Sequence, residues 1–378
     1  MSDAPQVALA LGGGGARAAY QAGVLRALAR AIPDLRFSIY TGVSAGAINT
    51  AYLSNYPGPV HAGAEALAKT WTTLELKHVF RTSPLSLGSR MIRTLVQITT
   101  GTPPGVPPIQ GMVDTSPLRE FLHRAYGTED GRLPGITANV KAGRLDAVAI
   151  TTTLYANTQS VTFCAGRQMA TWDQPQRISI PSELSVDHVM ASAALPLLFP
   201  AIQIGENWYG DGGVRLVSPL GPAVHLGANR ILAISTCYRP RTGRPVKPQQ
   251  AGPPAPAQVM GVLYDAIFLD LLDQDVMHLS RINALIRDLP PDRRLGMRLV
   301  HLHVIRPSVD LGDIANDYEL DLPPTFRYLT RRLGTRRERS QGMLSTVMFE
   351  PGYMNRLIEL GEQDGTAAIP DVVRFLAA

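Results

Sequence analysis

Apolar and polar positions alternate along the chain in a way that predicts a layered α/β protein. Val7–Leu11 is a short apolar run that stops at four glycines, the pattern of a buried strand entering a tight turn. Ala16–Ile32 follows with good helix formers and apolar residues at helical spacing (Tyr20, Val24, Leu25, Leu28), and Pro33–Asp34 ends it. Phe37–Val43 reads as a second strand and Ala45–Tyr52 as a second helix. Strand, helix, strand, helix within so short a stretch is βαβ organisation. It predicts a mainly parallel central sheet with helices on both faces, a three-layer α/β/α sandwich.

Further along, Ala62–Leu76 is helical, and Ser116–Pro117 opens a helix through Ala125, with Ser as cap and Pro at the first helical position. Leu145–Thr153, Gln159–Cys164, Arg230–Thr236 and Leu299–Ile305 are expected strands. The short apolar runs Ala201–Ile204 and Val214–Val217 flank a turn centred on Asp211-Gly212-Gly213. Thr82–Gly111 carries Pro84, Pro103, Pro104, Pro107 and Pro108 around an apolar segment, Leu85–Ile98, and reads as a lid-like insertion. Arg239–Ala257, rich in Pro, Gly and Gln, reads as a surface linker, and a long helix is expected over Val259–Arg287. The organisation expected is one domain over residues 1–378: a core of about 5–237, the insertion 82–111, the linker 239–257 and a helical C-terminal extension 258–378.

Composition changes this picture little. The chain has 378 residues, of which 45% are hydrophobic and 18% charged, enough apolar content for a large core. Two cysteines, Cys164 and Cys237, exclude a disulfide framework and fit a reducing compartment; both are expected to be buried and structural. No secretory signal or spanning apolar run is apparent, so a cytoplasmic protein is expected, with peripheral membrane contact left open. The net charge of +5 is not a nucleic-acid signature, and no nucleic-acid partner is expected. The arginines at 293–298, 331–332 and 336–339 read as solvated faces. No Cys/His spacing and no H-E-x-x-H suggests a metal, and no cofactor is expected.

Three constellations carry chemistry. Gly42-Val43-Ser44-Ala45-Gly46 is G-x-S-x-G between a predicted strand and a predicted helix, the context that lifts a nucleophilic serine out of the backbone at a helix N-terminus. Gly12-Gly13-Gly14-Gly15-Ala16-Arg17, also between strand and helix, exposes backbone N–H groups as an anion cradle. That cradle has two readings. One is an oxyanion hole. The other is dinucleotide binding, since Gly13-x-Gly15-x-x-Ala18 fits G-x-G-x-x-A. The second needs an acidic residue at the end of the next strand; Asp34 lies before that strand, which ends instead in the Ser44 turn. The third constellation, Asp211-Gly212-Gly213, supplies a glycine-flanked carboxylate that a serine nucleophile could use as base.

With these motifs in order, the chain resembles the patatin-like phospholipase family over nearly its whole length. The family's Gly-rich loop with a basic residue corresponds to Gly12–Arg17, its nucleophile elbow to Gly42–Gly46, and its Asp-Gly-Gly to Asp211–Gly213. The segment Ala191–Pro200 precedes the last, and weaker echoes lie at Asp114–Leu118, Arg306–Ser308 and Phe349–Gly361. Ala18 stands where many relatives have Gly, and Ser218-Pro219 where Asn precedes Pro. The resemblance implies a Ser44–Asp211 dyad without histidine, an oxyanion held by the Gly12–Gly15 loop, Arg17 shaping that loop, and a lipid ester as substrate of a phospholipase A or lysophospholipase. An acyltransferase or thioesterase using the same nucleophile, and a silent lipid-binding protein, stay open, as does a homodimer. A Ser-acid-His triad would have to draw on His225, His301 or His303; the last two alternate on one strand and suit structural roles. Candidate walls for an acyl chain are Ala191–Phe199 and the 85–98 segment, where Leu87, Met91, Leu95 and Ile98 recur at helical spacing.

Overall fold

The computed structural model describes residues 6–81, 111–167, 171–239, 262, 271–322 and 341–377. The insertion expected over 82–111 and the linker expected over 239–257 therefore lie almost wholly outside the described residues, as do the arginines at 331–332 and 336–339.

The first two strands, β1 (Val7–Leu11) and β2 (Ile39–Val43), are joined by helix α1 (Ala19–Ala31), which a short 3-10 turn, Gly15–Ala18, precedes. Helix α2 (Ala45–Asn55) leaves β2 directly, and α3 (Val60–Thr72) and α4 (Leu76–Val79) follow. Then come α5 (Ser116–Tyr126), α6 (Pro134–Lys141), β3 (Ala147–Leu154), β4 (Ser160–Gly166), β5 (Asp173–Gln174), β6 (Arg177–Pro181), α7 (Val186–Ser192), β7 (Ile202–Ile204) and β8 (Asn207–Asp211). The remainder is α8 (Gly221–His225), β9 (Arg230–Ile234), α9 (Leu271–Ile286), β10 (His301–Ile305), α10 (Leu311–Asp317), α11 (Gln341–Val347) and α12 (Pro351–Ala377).

The strands form one sheet in the order β10-β9-β1-β2-β3-β4-β6-β5, with the β7–β8 hairpin attached to β3. The five strands β10, β9, β1, β2 and β3 are mutually parallel, so the mainly parallel α/β sandwich read from the sequence is the architecture observed. Antiparallel pairing enters at β3–β4 and β3–β8.

The period of two on β1 explains the two-sided burial. Leu9 and Leu11 join the core beneath α1, α2 and α12, while Ala8 and Ala10 join a second core with Ile231, Ala233 and Leu220. Strands buried on both faces read as unbroken apolar runs, which is why β1 and β9 were legible. Helix α12 packs along α1 with its backbone in contact: a Cβ at Gly361 would overlap the carbonyl oxygen of Tyr20, and one at Gly23 that of Ile358. Tyr20 Oη donates to Asp364 Oδ2 (3.0 Å), and Arg26 pairs with Glu362 (2.6 Å). Residues 301–305 and 351–377 are thus part of the same sheet and helical layer.

Several local expectations need correction. Ser116 does not cap α5; Thr115 occupies the cap position, and the Asp114 carboxylate accepts from both the N–H and the hydroxyl of Ser116. The turn expected at Asp211–Gly213 is present, with Asp211 capping the 3-10 turn Gly212–Val214, but the strand leading into it, β8 from Asn207, was not expected. Residues 215–217 form no strand, and Val217 is exposed. Strand β6, half-buried at one side of the sheet, and helix α7 carried no clear period and were not expected.

Candidate active site

The site lies where β1, β2 and β3 end on the same side of the sheet. Ser44 is the residue between β2 and α2, with φ 56° and ψ −132°. A side chain with positive φ is strained, and the strain is local to this residue. A serine at a helix N-cap ordinarily turns its hydroxyl back to the helix N–H groups. Here the hydroxyl makes no such bond. It donates instead to Asp211 Oδ2 at 2.7 Å, from across 167 residues of chain. The other carboxylate oxygen of Asp211 accepts from the Gly213 N–H at 2.8 Å.

Both groups are buried, Ser44 at 3% exposure and Asp211 at 0%. Burial pushes the Asp211 carboxyl up to about 7, against the opposing pull of its bonds from Ser44 and Gly213. Among the described residues, no histidine hydrogen-bonds to either. His225 stacks on Trp172, His303 lies against Phe375, and His188 closes the N-terminus of α7.

Asp211 is fixed on every side: its N–H donates to Ala194 O, and its carbonyl accepts from Thr153 Oγ1 (2.8 Å). Gly212 lies so close to β3 that a Cβ there would overlap the carbonyl oxygen of Thr151. The Ser44 N–H is held by Ser192 Oγ (2.9 Å), whose hydroxyl donates in turn to Thr151 O (2.6 Å). Ser192 had no assigned role in the sequence; its only signal is a hydroxyl inside the apolar run of 189–199.

The glycine loop runs past the serine. A Cβ at Gly13 would stand 2.9 Å from Ser44 Cβ, and one at Gly46 would overlap the carbonyl oxygens of Leu11 and Gly12, so the two glycine motifs are packed backbone to backbone. Gly14 and Gly15 have φ 138° and 56°. At Gly12 a Cβ would meet open space. Gly42 packs against Thr50. Among the described residues, and outside the strand ladder, the N–H groups of Gly12, Gly13, Gly14 and Gly15 make no backbone hydrogen bond. The loop's carbonyls, by contrast, are tied down: Gly12 O by Gln21 Nε2 (3.0 Å) and Gly13 O by Thr236 Oγ1 (2.7 Å). Gln21 is itself held by Asn49 Nδ2, and Asn49 by Trp71 Nε1. Arg17 is buried, with Nε donating to Ser345 Oγ at 2.8 Å.

An apolar cavity of about 60 Å³ touches Gly13, Val43 and Gly213, with Leu216, Leu220 and Leu272 among its walls. The segment Ala191–Phe199, expected as an acyl wall, is mostly core: Ala191, Ala193, Ala194, Leu195 and Phe199 are buried, and only Leu197 is strongly exposed. Cys164 is buried in β4, its thiol pushed up to about 12 by burial, whereas Cys237 is half-buried. Among the described residues no group of three His, Cys, Asp or Glu side chains is placed to hold a metal ion. No helix among them is long and apolar enough to cross a membrane.

A family model described as patatin-like phospholipase matches residues 9–224, more than half of the chain. The chain belongs to the patatin-like phospholipase family. In this patatin-like chain all three motifs lie within the matched region, whereas α12 and the Ser345 partner of Arg17 lie outside it. Membership supports a lipid hydrolase activity. Among solved structures, human GIVD cytosolic phospholipase A2 aligns at 14% identity with TM-score 0.47, over 99% of this chain and 60% of that one. VipD from Legionella pneumophila aligns at 12% and 0.38, over 94% and 67%, and the type III effector ExoU at 14% and 0.31, over 94% and 53%. The patatin-like chain thus spans about three fifths of the length of the human enzyme. At such identities these likenesses leave each residue's role to the geometry of this chain. Among curated proteins no sequence match is found.

Proposed function

We propose that the protein hydrolyses carboxylic esters of lipids, in the manner of a phospholipase A or lysophospholipase, with Ser44 as nucleophile and Asp211 as its base. The observation that carries this reading is the 2.7 Å hydrogen bond from the Ser44 hydroxyl to a fully buried carboxylate. Ser44 Oγ attacks the ester carbonyl while its proton passes to Asp211 Oδ2. The tetrahedral oxyanion is held by N–H groups of the Gly12–Gly15 loop, each well-aimed donor contributing about 3 kcal/mol. Collapse breaks the ester bond, and the departing alkoxide takes the proton from Asp211. Water then attacks the acyl-enzyme with Asp211 again as base, which releases the carboxylic acid and restores Ser44. Arg17, which is buried, holds the loop through Ser345. The apolar cavity beside Gly13 and Gly213, about 60 Å³, suits only the first carbons of the acyl chain next to the ester.

A carboxylate raised to about 7 is a better base for a hydroxyl than one at 3.8, provided it is ionised. Activity therefore rises with pH through a single inflection near 7. The test is hydrolysis of p-nitrophenyl esters of graded chain length by the wild type, Ser44→Ala and Asp211→Asn. Wild-type turnover with that pH profile, and loss to background in both folded variants, supports the dyad. Wild-type turnover in Ser44→Ala removes it. A wild type inert on all esters and on phospholipid vesicles removes the hydrolase reading itself.

A further inference from the structure

A groove of about 610 Å³ opens beside the Asp211–Gly213 turn, lined by residues 174–177, 215–218, Ser160 and part of α9. It adjoins the candidate site on two counts. Ser160 pairs across the sheet with Thr153, whose hydroxyl holds the Asp211 carbonyl. Leu216 lines both this groove and the apolar cavity that touches Gly13, Val43 and Gly213.

Two arginines, Arg177 and Arg215, line the groove. Arg177 starts β6, at the same end of the sheet as Ser44, because β6 pairs parallel with β4 and β4 antiparallel with β3. Its Nε donates to Gln174 Oε1. Arg215, four residues after Asp211, gives its Nε to Thr158 O at 2.8 Å. Both Nε anchors are to neutral oxygens, which orients each fork, and among the described residues the terminal nitrogens of neither arginine make a hydrogen bond. Among the described residues neither arginine pairs with a carboxylate. The acid of the groove, Asp275, has both oxygens turned to its own wall, one accepting from Ser218 Oγ (2.8 Å) and the other from Leu220 N (2.7 Å). The groove also holds His278. The charge of Arg177 is felt nearby: burial first, then Arg177 and Arg298, hold His225 below the ordinary imidazole range.

Two anchored, unneutralised guanidinium forks beside an apolar cavity match a phosphodiester attached to an acyl chain. Resting on the proposed hydrolase reading, we infer that Arg177 and Arg215 form the subsite for the phosphate of the lipid head group. They are specificity-determining residues, and the acyl end of the same molecule runs past Leu216 toward Ser44.

The test has two arms. In the first, kcat/KM is measured for a lysophosphatidylcholine and for the monoacylglycerol of the same chain. The ratio of the two falls at least about tenfold in Arg177→Gln/Arg215→Gln, through KM, and recovers in part in Arg177→Lys/Arg215→Lys. Thermal melts confirm that the variants are folded. An unchanged ratio overturns the assignment. The second arm is independent of turnover: the Ser44→Ala protein is titrated with glycerophosphocholine and, separately, with inorganic phosphate. Saturable glycerophosphocholine binding that the Gln pair abolishes supports a head-group subsite. Binding of inorganic phosphate alone marks a free-anion site and overturns it. Because this arm needs no catalysis, its failure is distinct from failure of the hydrolase reading.

Discussion

The two glycine motifs of the site are held in opposite ways. The elbow at Gly42–Gly46 takes its backbone turn from the strand that precedes it, the helix that follows and the positive φ of Ser44, with Ser192 as its one distant backbone brace. The loop at Gly12–Arg17 takes its shape from far away. Thr236 grips Gly13 O from 223 residues along the chain, and Ser345 accepts from Arg17 from 328 residues along it. A Cβ at Gly15 would overlap the backbone of Thr346. The backbone turn of the nucleophile is therefore written mainly locally, whereas the anion cradle beside it is written by several distant contacts. Disturbing the C-terminal third should reach the chemistry through the loop and leave the elbow in place.

Gly46→Ala should break both halves at once and gives the largest combined loss of activity and stability. Its Cβ would overlap the carbonyl oxygens of Leu11 and Gly12, which belong to the end of β1 and cannot yield as a flexible side chain would. Separation of the two turns by a fraction of an ångström misplaces oxyanion donors relative to Ser44. A loss of kcat on the order of 100-fold or more is expected, with about 1–3 kcal/mol of stability. Ester hydrolysis and thermal unfolding measure both. Near wild-type activity in Gly46→Ala would show that the two turns are not coupled as this packing requires.

The base ranks next, and here function and stability oppose one another. Asp211 holds its proton in the folded chain up to about pH 7, whereas an ordinary carboxyl loses it near 3.8. Between those values the folded state binds more protons than the unfolded state, so the stability from this group is present at low pH and is lost as pH rises toward 7. Asp211→Asn keeps an acceptor for Gly213 and removes the buried charge. It should be more stable than the wild type by a few kcal/mol above pH 7, with the gain vanishing below about pH 4, while activity is lost. Thermal melts at pH 4 and pH 8 check this. Equal melting temperatures at both would mean that the ionised carboxylate carries no penalty in the folded chain.

The same contrast explains what the sequence made legible. Strands β1 and β9, buried on both faces, are nearly unbroken apolar runs, β2 and β3 add threonines to β-branched and apolar residues, and the elbow is a five-residue pattern with its context attached. Gly12 to Gly15 look alike in sequence, yet Gly12 faces open space, Gly13 abuts Ser44, and Gly14 and Gly15 need positive φ. Only the fold distinguishes them. Thr236, Gln21 and Ser345 carry no motif, and Ser192 lies in the family-like segment 191–200 with nothing to mark its role, because a polar side chain that satisfies one distant backbone group looks like any other. Asp211 was found through resemblance and the need for a base; its place at the end of β8 was not, since a strand of Asn-Trp-Tyr-Gly-Asp has little apolar period.

The finest test of the comparison sets Ser192→Ala against Thr236→Val. Ser192 bonds to the elbow, and its loss leaves the buried Ser44 N–H unpaired, destabilising by about 1–3 kcal/mol. Because that N–H belongs to the nucleophile's own residue, kcat should fall about tenfold with KM little changed, a drift of Oγ away from Asp211 being worth roughly 1.4 kcal/mol in the barrier. Thr236→Val leaves a loop carbonyl without its donor, but the valine still fills the space against Gly14, and the packing of Gly46 and Thr346 continues to hold the loop. A milder fall of a few-fold in kcat and about 1 kcal/mol in stability is expected. Should Thr236→Val prove the more damaging of the two, the anion cradle would be the limiting element, and its several distant braces would act as one unit that fails when any is removed.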